Sequence, residues 1–378
     1  MKVLCFIGGY GLAYDERQRK EAIELQMLGC EVEIIVAEPS NNAEKGKTTY
    51  GIDFQSISLF TRKYLPKKRF LIVKAIEMHL RLFFIFITKK WDVLWVHDHD
   101  MAPLLLYGWF SRLLFQKKKI VWDQHELGPE KFFSKALYHT LLGIPDIIIH
   151  ANHERADLLK QYVPKKISAK FRIIENFPEH EFIQASANRI NPDFKSWLNG
   201  SRYVLFQGIA AHHRKVMESI QAIHFFDDIK LLILGPCNKE TKVEIEKRWP
   251  NYKQKVFITG WVNPDMFLEY MDQSIASLVF YENLDLNHWL CAPNRFYNAL
   301  LRGIPIISGA NPTMANIVTK YNCGIVCQEN GNNPNEIYVA IKHIMSSLDL
   351  YRSNCLRIRE QYTWESQKEV FKTIINKA

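Results

Sequence analysis

The sequence predicts an α/β protein built from two Rossmann-like domains. Short apolar runs with the character of β-strands alternate with longer segments of helical spacing along the chain, which is typical of parallel α/β units. The alternation stops in a polar, irregular stretch near residues 180–200 and then starts again. The chain of 378 residues also exceeds the ~250–300 residues at which single cores stop growing, so two domains are expected.

The predicted strands form two series. The first comprises residues 3–7, 32–36, 54–59, 93–96, 120–122, 147–149 and 172–174, and the second comprises residues 203–206, 231–234, 256–258, 276–280, 305–307 and 325–326. We therefore place an N-terminal domain at residues 1–185 and a C-terminal domain at residues 186–360, and the spacing in residues 361–378 predicts a final helix. Parallel sheets of this kind bind ligands at the carboxyl ends of their strands, where we look for the site.

The composition favours a globular protein of the cytoplasm. Hydrophobic residues make up 47% of the chain, which is enough to fill two cores. The seven cysteines are scattered without zinc spacing or a Cys-x-x-Cys motif, as expected in a reducing compartment, and we read Cys323 and Cys327 as two thiols rather than a cross-link. The first seven residues read as a strand, not a signal peptide, and no apolar run approaches the ~20 residues of a spanning helix.

The net charge of +9 is concentrated in residues 61–90. This segment holds nine Lys or Arg against the single Glu77, a local net charge of +8, and bulky apolar residues are interleaved with the cations. Such a segment can lie on an anionic membrane surface, which would make the protein peripheral on the inner face of the membrane. It can equally form a surface helix with one buried face and one solvated basic face. No recognition motif accompanies the charge, so nucleic acid is not an expected partner.

Glycines follow the first predicted strand in the sequence Gly-Gly-Tyr-Gly at residues 8–11. Glycines at a strand-to-helix turn let the backbone approach a phosphate, which makes Gly9 a candidate ligand-binding residue. The dinucleotide-binding pattern requires a third glycine where this chain has Tyr14, so a nicotinamide cofactor is not expected. A merely tight turn is the alternative.

Two further motifs follow strands of the first domain. His97, Asp98 and His99 lie in the sequence His-Asp-His-Asp, which invites a metal-site hypothesis, but no distant third ligand is evident. We expect these residues to line the binding cleft, with strand-end hydrogen bonding as the alternative and no metal. The second motif, Trp-Asp-Gln-His-Glu at residues 122–126, supplies groups that can hydrogen-bond a sugar or form a structural network.

The second domain contains a cationic turn and a polar helix start. Gly208 and the pair Arg214 and Lys215 follow the first strand of this domain, and a guanidinium can bind a diphosphate bidentately. A surface arginine is the alternative. Residues 291–308 predict a helix that begins after a proline and ends at a glycine, followed by a buried strand. Its free N–H groups favour an anion. The candidate residues there are Pro293, Asn294, Arg295 and Asn298.

These motifs resemble those of the retaining glycosyltransferases with the GT-B fold, family 4 (group 1) and its relatives. The family has Pro-Asn-Lys, two large residues, Glu, then Gly-x-Pro and an apolar strand, and this chain keeps that frame in residues 293–308. A subset of the family reads Tyr-Asp-x-His-Glu where this chain has residues 122–126. The family also has a glycine followed several residues later by Arg-Gly or Lys-Gly, where this chain has Gly208, Arg214 and Lys215.

The resemblance implies two domains facing one another across a cleft, with the C-terminal helix crossing back to the first. It implies a nucleotide-sugar co-substrate, most readily a UDP- or GDP-sugar, no bound cofactor, and no metal if Arg214 and the helix start neutralise the diphosphate. By resemblance His125, Asp123 and Arg214 are the catalytic candidates. Gly235 and Gly260 end turns near the base, Glu282 and Asn287 are candidates for the sugar hydroxyls, and His97, Asp98, His99 and Glu126 face the acceptor.

One position departs from the family. Asn298 stands where the family has the glutamate that accepts hydrogen bonds from the nucleotide ribose, and an asparagine lacks the charge. We expect a transferase that acts on a lipid-linked or cell-surface polysaccharide acceptor. The alternatives are a catalytically inactive sugar-nucleotide or glycan-binding homologue, and a GT-B enzyme of the epimerase or phosphorylase type.

Overall fold

The computed structural model describes residues 1–8, 16–37, 41–66, 69–114, 118–128, 130–133, 135–185, 190–263 and 266–376. The chain divides into two compact units. Unit 1 comprises residues 1–175 and 367–378, and unit 2 comprises residues 176–366.

Unit 1 alternates strands with helices. Its elements are β1 (Lys2–Gly8), α1 (Glu16–Met27), β2 (Glu31–Ala37), β3 (Lys45–Lys47), β4 (Asp53–Ser56), α2 (Phe60–Tyr64), α3 (Leu71–Thr88), β5 (Val93–His97), α4 (Pro103–Leu114), β6 (Lys119–Gln124), α5 (Ala136–Gly143), β7 (Ile147–His150), α6 (His153–Lys160), α7 (Lys165–Ser168) and β8 (Phe171–Ile173).

The sheet of unit 1 has eight strands in the order β3-β4-β2-β1-β5-β6-β7-β8. All neighbours are parallel except β3, which is antiparallel to β4. The central strands are buried throughout, as expected where helices cover both faces of a parallel sheet. All seven predicted strands of this unit are present. The sequence analysis missed β3, because its three residues, Lys-Gly-Lys, are exposed at the sheet edge and lack an apolar pattern.

Unit 2 contains a second α/β series. Its elements are α8 (Glu181–Gln184), α9 (Pro192–Leu198), β9 (Arg202–Gln207), α10 (Val216–His224), β10 (Ile229–Leu234), α11 (Lys239–Arg248), β11 (Val256–Ile258), α12 (Leu268–Met271), β12 (Ser277–Val279), α13 (Leu286–Trp289), α14 (Asn294–Leu301), β13 (Ile306–Gly309), α15 (Pro312–Tyr321), β14 (Gly324–Cys327), α16 (Pro334–Ser346) and α17 (Leu348–Ile358).

The sheet of unit 2 has six parallel strands in the order β11-β10-β9-β12-β13-β14. Strand order reverses between β9 and β12, and the ends of these two strands form such a sheet's usual ligand-binding position. Apolar side chains pack on both faces of the sheet. On one face they come mainly from α10 and α16, and on the other from α9, α14 and α15.

The boundary between the units lies earlier than predicted, at residues 175/176 instead of 185/186. Phe177 explains the difference because it is buried in the core of unit 2, with its ring 4.7 Å from that of Tyr297 and 5.4 Å from that of Tyr362. Unit 2 also extends past the predicted end at residue 360, through short helical turns. The chain rejoins unit 1 at residue 367 instead of residue 361.

The last helix, α18 (Lys368–Asn376), belongs to unit 1. Phe371 is fully buried and its ring stacks on that of Trp95 in β5, 6.4 Å between centroids. Lys119, at the start of β6, donates a hydrogen bond to the backbone oxygen of Ile374. These contacts hold the end of the chain against the sheet of unit 1.

Helix α3 exposes most of its apolar side chains. Only Lys74, Leu82 and Phe86 of its 18 residues are buried. The exposed large apolar residues of this helix form what we call the α3 face, which consists of Leu71, Ile72, Val73, Ile76, Leu80, Phe83, Phe84 and Ile87. Among the described residues, no helix combines the length and apolar character needed to cross a bilayer.

Arg302, directly after α14, joins two segments of unit 2. Its guanidinium binds Asp272 bidentately, at 2.8 and 2.6 Å, and also donates to the backbone oxygens of Phe182, Ile183 and Ala185. Its side chain is only 13% exposed. The residue thereby ties the start of unit 2 to α12 and α14.

We predict that Arg302→Ala lowers the free energy of unfolding of unit 2 by ~2 kcal/mol, because several partly buried acceptors lose their donor at once. Urea denaturation measures the effect. Arg202→Ala is the matched control, since Arg202 and its partner Asp228 are mostly exposed and the substitution should change stability by less than ~0.5 kcal/mol. Equal effects of the two substitutions would contradict the prediction.

Candidate active site

The predicted catalytic residues of unit 1 meet at the carboxyl ends of two neighbouring strands. His97 ends β5 and is the register partner of Asp123 in β6. Asp98 follows with φ of 59°, a left-handed conformation that ends the strand. His125 lies just beyond the end of β6. We call these four residues, together with Arg17 and Glu21 from α1, the Asp123 cluster.

Asp123 is fully buried and its carboxylate is shared among three cationic partners. Arg17 donates from Nε and Nη2 to its two oxygens, both at 2.9 Å. The Nδ1 atoms of His97 and His125 each lie 3.2 Å from its Oδ2. Burial alone would raise the pKa of Asp123, but the Arg17 charge and His125 outweigh burial and hold this pKa well below its usual range.

The same contacts favour the protonated forms of the two histidines. Burial opposes the charged form of His97, but its hydrogen bonds to Asp123 and Cys5 raise its pKa well above the usual value. The pKa of His125 is also raised, since the nearby Asp123 and Asp98 carboxylates outweigh burial. The Nε2 atom of His125 lies 3.0 Å from Asp98 Oδ1. The partly exposed His125 ring is therefore oriented between two carboxylates, which favour its protonated form.

Arg17 and Glu21 were missed by the sequence analysis. Glu21 is 1% exposed, accepts a hydrogen bond from Trp95 Nε1 at 3.0 Å, and forms an ion pair in which its Oε1 lies 3.0 Å from Arg17 Nε. Burial, and then the charge of Asp123, raise the pKa of Glu21 to about 7. The sequence of α1 does indicate buried charges. This helix connects two buried parallel strands but has no apolar stripe, so some of its charged side chains have to face the sheet.

The cluster also contains a set of candidate metal ligands. Donor atoms of His97, Asp123 and His125 lie within 4.8 Å of one another. However, Arg17 occupies both oxygens of Asp123, and both imidazoles point Nδ1 at that carboxylate. This donor set is arranged as an ion-pair and hydrogen-bond network, and the absence of a metal stays a prediction.

The other acceptor-side candidates are placed differently. His99 lies against Trp122 and 2.9 Å from Gln124 Nε2, and burial lowers its pKa to about 4. It is therefore a neutral neighbour of the cluster. Glu126 is exposed in the loop after β6. Gly9 lies outside the described residues.

The predicted cations of unit 2 gather around one aromatic ring. The guanidinium carbon of Arg295 lies 4.7 Å from the centre of the Tyr281 ring, and that of Arg214 lies 5.4 Å from it. Lys215 Nζ is 3.5 Å from Glu282 Oε1. We call these five residues the cation cluster. It carries three positive side chains and one carboxylate.

Arg295 points inward, although it begins the helix that was predicted to bind the donor. It is 5% exposed and donates to the backbone oxygens of Gln207 at 3.0 Å and Phe280 at 2.8 Å. These oxygens lie at the ends of β9 and β12. Burial lowers the pKa of Arg295, and the charge of Arg214 acts in the same direction. Arg295 thus holds the ends of β9 and β12 together and adds positive charge from the interior of unit 2.

Two glycines allow the loops around Arg214 to pack closely. A Cβ on Gly208, which has φ of 104°, would lie 2.8 Å from Arg214 Nη1. A Cβ on Gly235 would lie 2.4 Å from the backbone oxygen of Gly208. Side chains at either position would displace the loop that carries Arg214.

The remaining donor-site candidates surround the start of α14. Pro293 is its N-cap residue, Asn294 is exposed and accepts a hydrogen bond from Asn176, and Asn298 is half-buried one turn later. Asn287 lies in the short helix α13. The backbone N–H groups at the start of α14 have no partner within the helix, as in any helix.

A cavity of about 590 Å³ follows β10 and β11. Pro236, Thr259 and Gly260 line it, with the rings of Trp197 and Tyr252. These turns are the ones predicted to lie near the nucleotide base. Thr259 fixes their geometry, since its hydroxyl accepts from Gly235 N at 3.0 Å.

Residues 189–355, less than half of the chain, match the family described as Glycosyl transferases group 1. The family resemblance inferred from the motifs is thereby confirmed. No curated protein sequence matches the chain.

Solved structures extend the likeness to the whole chain. Sucrose-phosphate synthase from Thermosynechococcus elongatus is 15% identical with a TM-score of 0.70, over 100% of this chain and 98% of that one. Trehalose-6-phosphate synthase OtsA is 11% identical with a TM-score of 0.74, over 100% and 99%. Anabaena HepE in complex with UDP and glucose is 10% identical with a TM-score of 0.69, over 100% of both chains. The chain has the GT-B fold, as predicted.

The Asp123 cluster should make the stability of the protein fall as pH rises. The pKa of Glu21 rises from 4.5 to about 7 on folding, so the folded protein binds an extra proton below that pH and loses this stabilisation between about pH 5 and about pH 7. The raised pKa values of His97 and His125 act in the same direction at higher pH.

We predict that Glu21→Gln flattens the decline in stability between about pH 5 and about pH 7, because the glutamine does not titrate. Urea denaturation across this range, with hydrogen exchange of β5 and β6, measures the effect. Glu16→Gln, at the exposed start of α1, is the control and should follow the wild-type curve. A Glu21→Gln curve parallel to that of wild type would contradict the prediction.

Proposed function

We propose that this glycosyltransferase moves a sugar from a nucleotide-sugar, a UDP- or GDP-sugar, to a lipid-linked or cell-surface polysaccharide acceptor with retention of configuration. The cation cluster carries the proposal. Three cations at the strand-order reversal of a group 1 domain, with Glu282 as the one carboxylate among them, are suited to a diphosphate.

The departing diphosphate would be stabilised without a metal ion. Arg214 is the half-buried cation of the cluster, and its Nε has no hydrogen-bond partner within the described residues. It can bind a diphosphate as a bidentate donor. Lys215 and the N–H groups at the start of α14 add positive potential. Negative charge that develops on the leaving group would meet donors already in position.

UDP is the nucleotide best supported for the donor. Anabaena HepE binds UDP and UDP-glucose, and the E. coli trehalose-6-phosphate protein binds UDP-2-fluoro glucose. The cavity beside Thr259 would receive the base, mostly through backbone contacts. Glu282 and Asn287 are proposed to contact sugar hydroxyls.

His125 is proposed to hydrogen-bond the donor sugar. Asp123 and Asp98 orient its ring and keep it protonated, so it can donate to a sugar oxygen or stabilise negative charge in the transition state. Asp123 acts through His125 and is a positioning residue. His97, Asp98 and Glu126 are proposed to lie on the acceptor side.

A lipid-linked acceptor agrees with the proposed contact between residues 61–90 and an anionic membrane. The α3 face exposes eight large apolar side chains, and Arg81, Lys89 and Lys90 accompany it. Apolar insertion together with cation attraction is how peripheral proteins bind such membranes.

We predict that one class among UDP-, GDP-, ADP- and CMP-sugars raises the melting temperature, since a ligand at 100 times its Kd adds about 2.7 kcal/mol of stability. Arg214→Ala should lose most of this shift because the diphosphate loses its bidentate donor. Arg248→Ala, an exposed arginine of the same unit, should keep it. Absence of any shift, or a full shift in Arg214→Ala, would remove the donor site from unit 2.

Measurements of sugar-nucleotide turnover with and without added acceptor distinguish the proposal from its alternatives. Transfer that requires added acceptor supports the glycosyltransferase. Conversion of the sugar-nucleotide without acceptor would indicate an epimerase-type enzyme, and binding without hydrolysis or transfer would indicate an inactive homologue.

We further predict that Asn298→Glu tightens donor binding about tenfold, because a carboxylate adds charge-assisted hydrogen bonds to the ribose. Calorimetric titration with the donor found in the panel measures the change. Asn298→Gln has the same length without the charge and should bind no more tightly than wild type. Equal affinities of the Glu and Gln variants would show that the side chain at 298 does not contact the ribose.

A further inference from the structure

An aromatic groove lies between α3 and α4 of unit 1. It has a volume of about 410 Å³. Its apolar lining comes from Phe83, Phe86 and Ile87 of α3, from Trp91, and from Tyr107 and Phe110 of α4. We call this cavity the aromatic groove.

The groove is preformed by packing among its own rings. Phe83 lies edge-on to Tyr107 at 5.1 Å, and Phe86 lies 5.3 Å from Trp91 and 6.2 Å from Tyr107. Phe86 and Trp91 are each only 4% exposed and form the floor, whereas Phe110 is 57% exposed. A rigid floor with an open side suits a hydrocarbon chain that enters from the surface.

Two cations line the same cavity. The Lys118 ammonium lies 4.0 Å from the centre of the Trp91 ring, and Lys89 lies next to the end of α3, paired with Glu33. Burial lowers the pKa of Lys118. Among the described residues that line the groove, none is acidic. Aromatic walls together with ammonium groups match a ligand with a hydrocarbon chain and an anionic head.

The groove is continuous with the α3 face. Phe83 and Ile87 belong to both, and Ile87 is 55% exposed. A lipid in a membrane that contacts this face could therefore enter the groove without crossing water. The volume of the groove falls within the ~300–1,000 Å³ that is typical of small-molecule sites. A peptide helix ~10 Å across would fill this volume with about one turn, so the groove suits a small molecule better than a helix.

The groove is separated from the Asp123 cluster. Trp91 and Lys118 precede β5 and β6, at the amino ends of these strands, whereas His97 and Asp123 lie at the carboxyl ends. At ~3.3 Å per residue, β5 alone separates the two ends by roughly 13 Å. A ligand in the groove would therefore anchor the protein and would not be the group that reacts.

We propose that the aromatic groove binds one acyl chain of an anionic membrane phospholipid, with Lys118 and Lys89 contacting its phosphate. This inference rests on the membrane contact proposed above and is independent of the donor site. The lipid chain would fill the space between α3 and α4, and the phosphate would lie at the ammonium groups.

The test uses the full chain and a short-chain phosphatidylglycerol with a photoreactive diazirine in one acyl chain, kept below its micelle concentration. Mass spectrometry of the cross-linked peptides should place the label on the last two turns of α3 and on α4. Ser111→Phe fills the groove and should reduce labelling at least about fivefold. Lys118→Glu should reduce it roughly tenfold, since each cation near an anionic lipid contributes substantially.

Ile72→Asn is the matched control. Ile72 is 77% exposed on the α3 face outside the groove, so this variant should keep full labelling by the soluble lipid but bind less well to vesicles of phosphatidylcholine and phosphatidylglycerol. An unchanged donor-induced melting shift in Ser111→Phe shows that the variant is folded.

Several outcomes would overturn the proposal. Label outside the groove, or labelling that survives both Ser111→Phe and Lys118→Glu, would do so. Equal labelling by the phosphatidylcholine analogue, or equal competition by decanoate, would overturn the assignment of an anionic phospholipid. Vesicle binding without groove labelling would overturn this proposal but not the wider membrane contact. Groove labelling without vesicle binding would support the lipid site and overturn the wider membrane contact.

Discussion

The carboxylate of Asp123 is the group on which the candidate site of unit 1 depends. A fully buried charge is tolerated only when it is paired and hydrogen-bonded, and Asp123 obtains its partner from α1, more than a hundred residues earlier in the chain. Arg17 therefore fixes α1 against the end of β6, and its Nη1 also holds the backbone of Ile174 at 2.7 Å. Arg17 binds both oxygens of the carboxylate, and the Oδ2 atom that it shares with the two histidines orients His97 and His125. Removal of Arg17 would leave a buried charge facing two imidazolium groups and would change the geometry of both.

The candidate site of unit 2 differs from that of unit 1 because it concentrates positive charge instead of surrounding a buried carboxylate. Arg214 and Arg295 stack near the same Tyr281 ring, and aromatic contact partly compensates the burial of their guanidinium groups. Burial lowers the pKa of Arg295, and repulsion from Arg214 acts in the same direction. Arg295 satisfies its donors on strand ends and cannot turn outward, whereas Arg214 keeps an Nε without a partner among the described residues. An anion bound at Arg214 would relieve this repulsion, which gives a diphosphate more binding energy here than a single exposed arginine would provide.

The sequence predicted thirteen strands because most of them are short apolar runs between turn signals, and it predicted the fold because two such series follow one another. It placed the boundary too late, since Phe177 appears in sequence as part of a linker and only its burial assigns it to unit 2. The sequence placed His97, Asp123 and His125 at or just after the ends of two strands, but it did not predict that the three side chains contact one another. Arg17 and Glu21 were not predicted: the missing apolar stripe of α1 indicates that charged side chains of this helix are buried, but tertiary packing decides which groups they pair with. For the same reason the inward direction of Arg295 was not predictable.

The two ends of the unit 1 sheet have separate chemical characters. The carboxyl ends of β5 and β6 carry titratable groups, which need a polar environment and a soluble ligand. The amino ends carry Trp91 and Lys118 beside the aromatic groove, which suits an amphiphile. A parallel sheet makes this separation unavoidable, because every strand directs its carboxyl end to the same edge. A lipid bound at the amino ends, as proposed, would therefore keep the protein on a surface without occupying the edge that carries the Asp123 cluster. The anchoring lipid and the acceptor are then different molecules or different parts of one long molecule, and substitutions in the groove should change where the enzyme works before they change what it does.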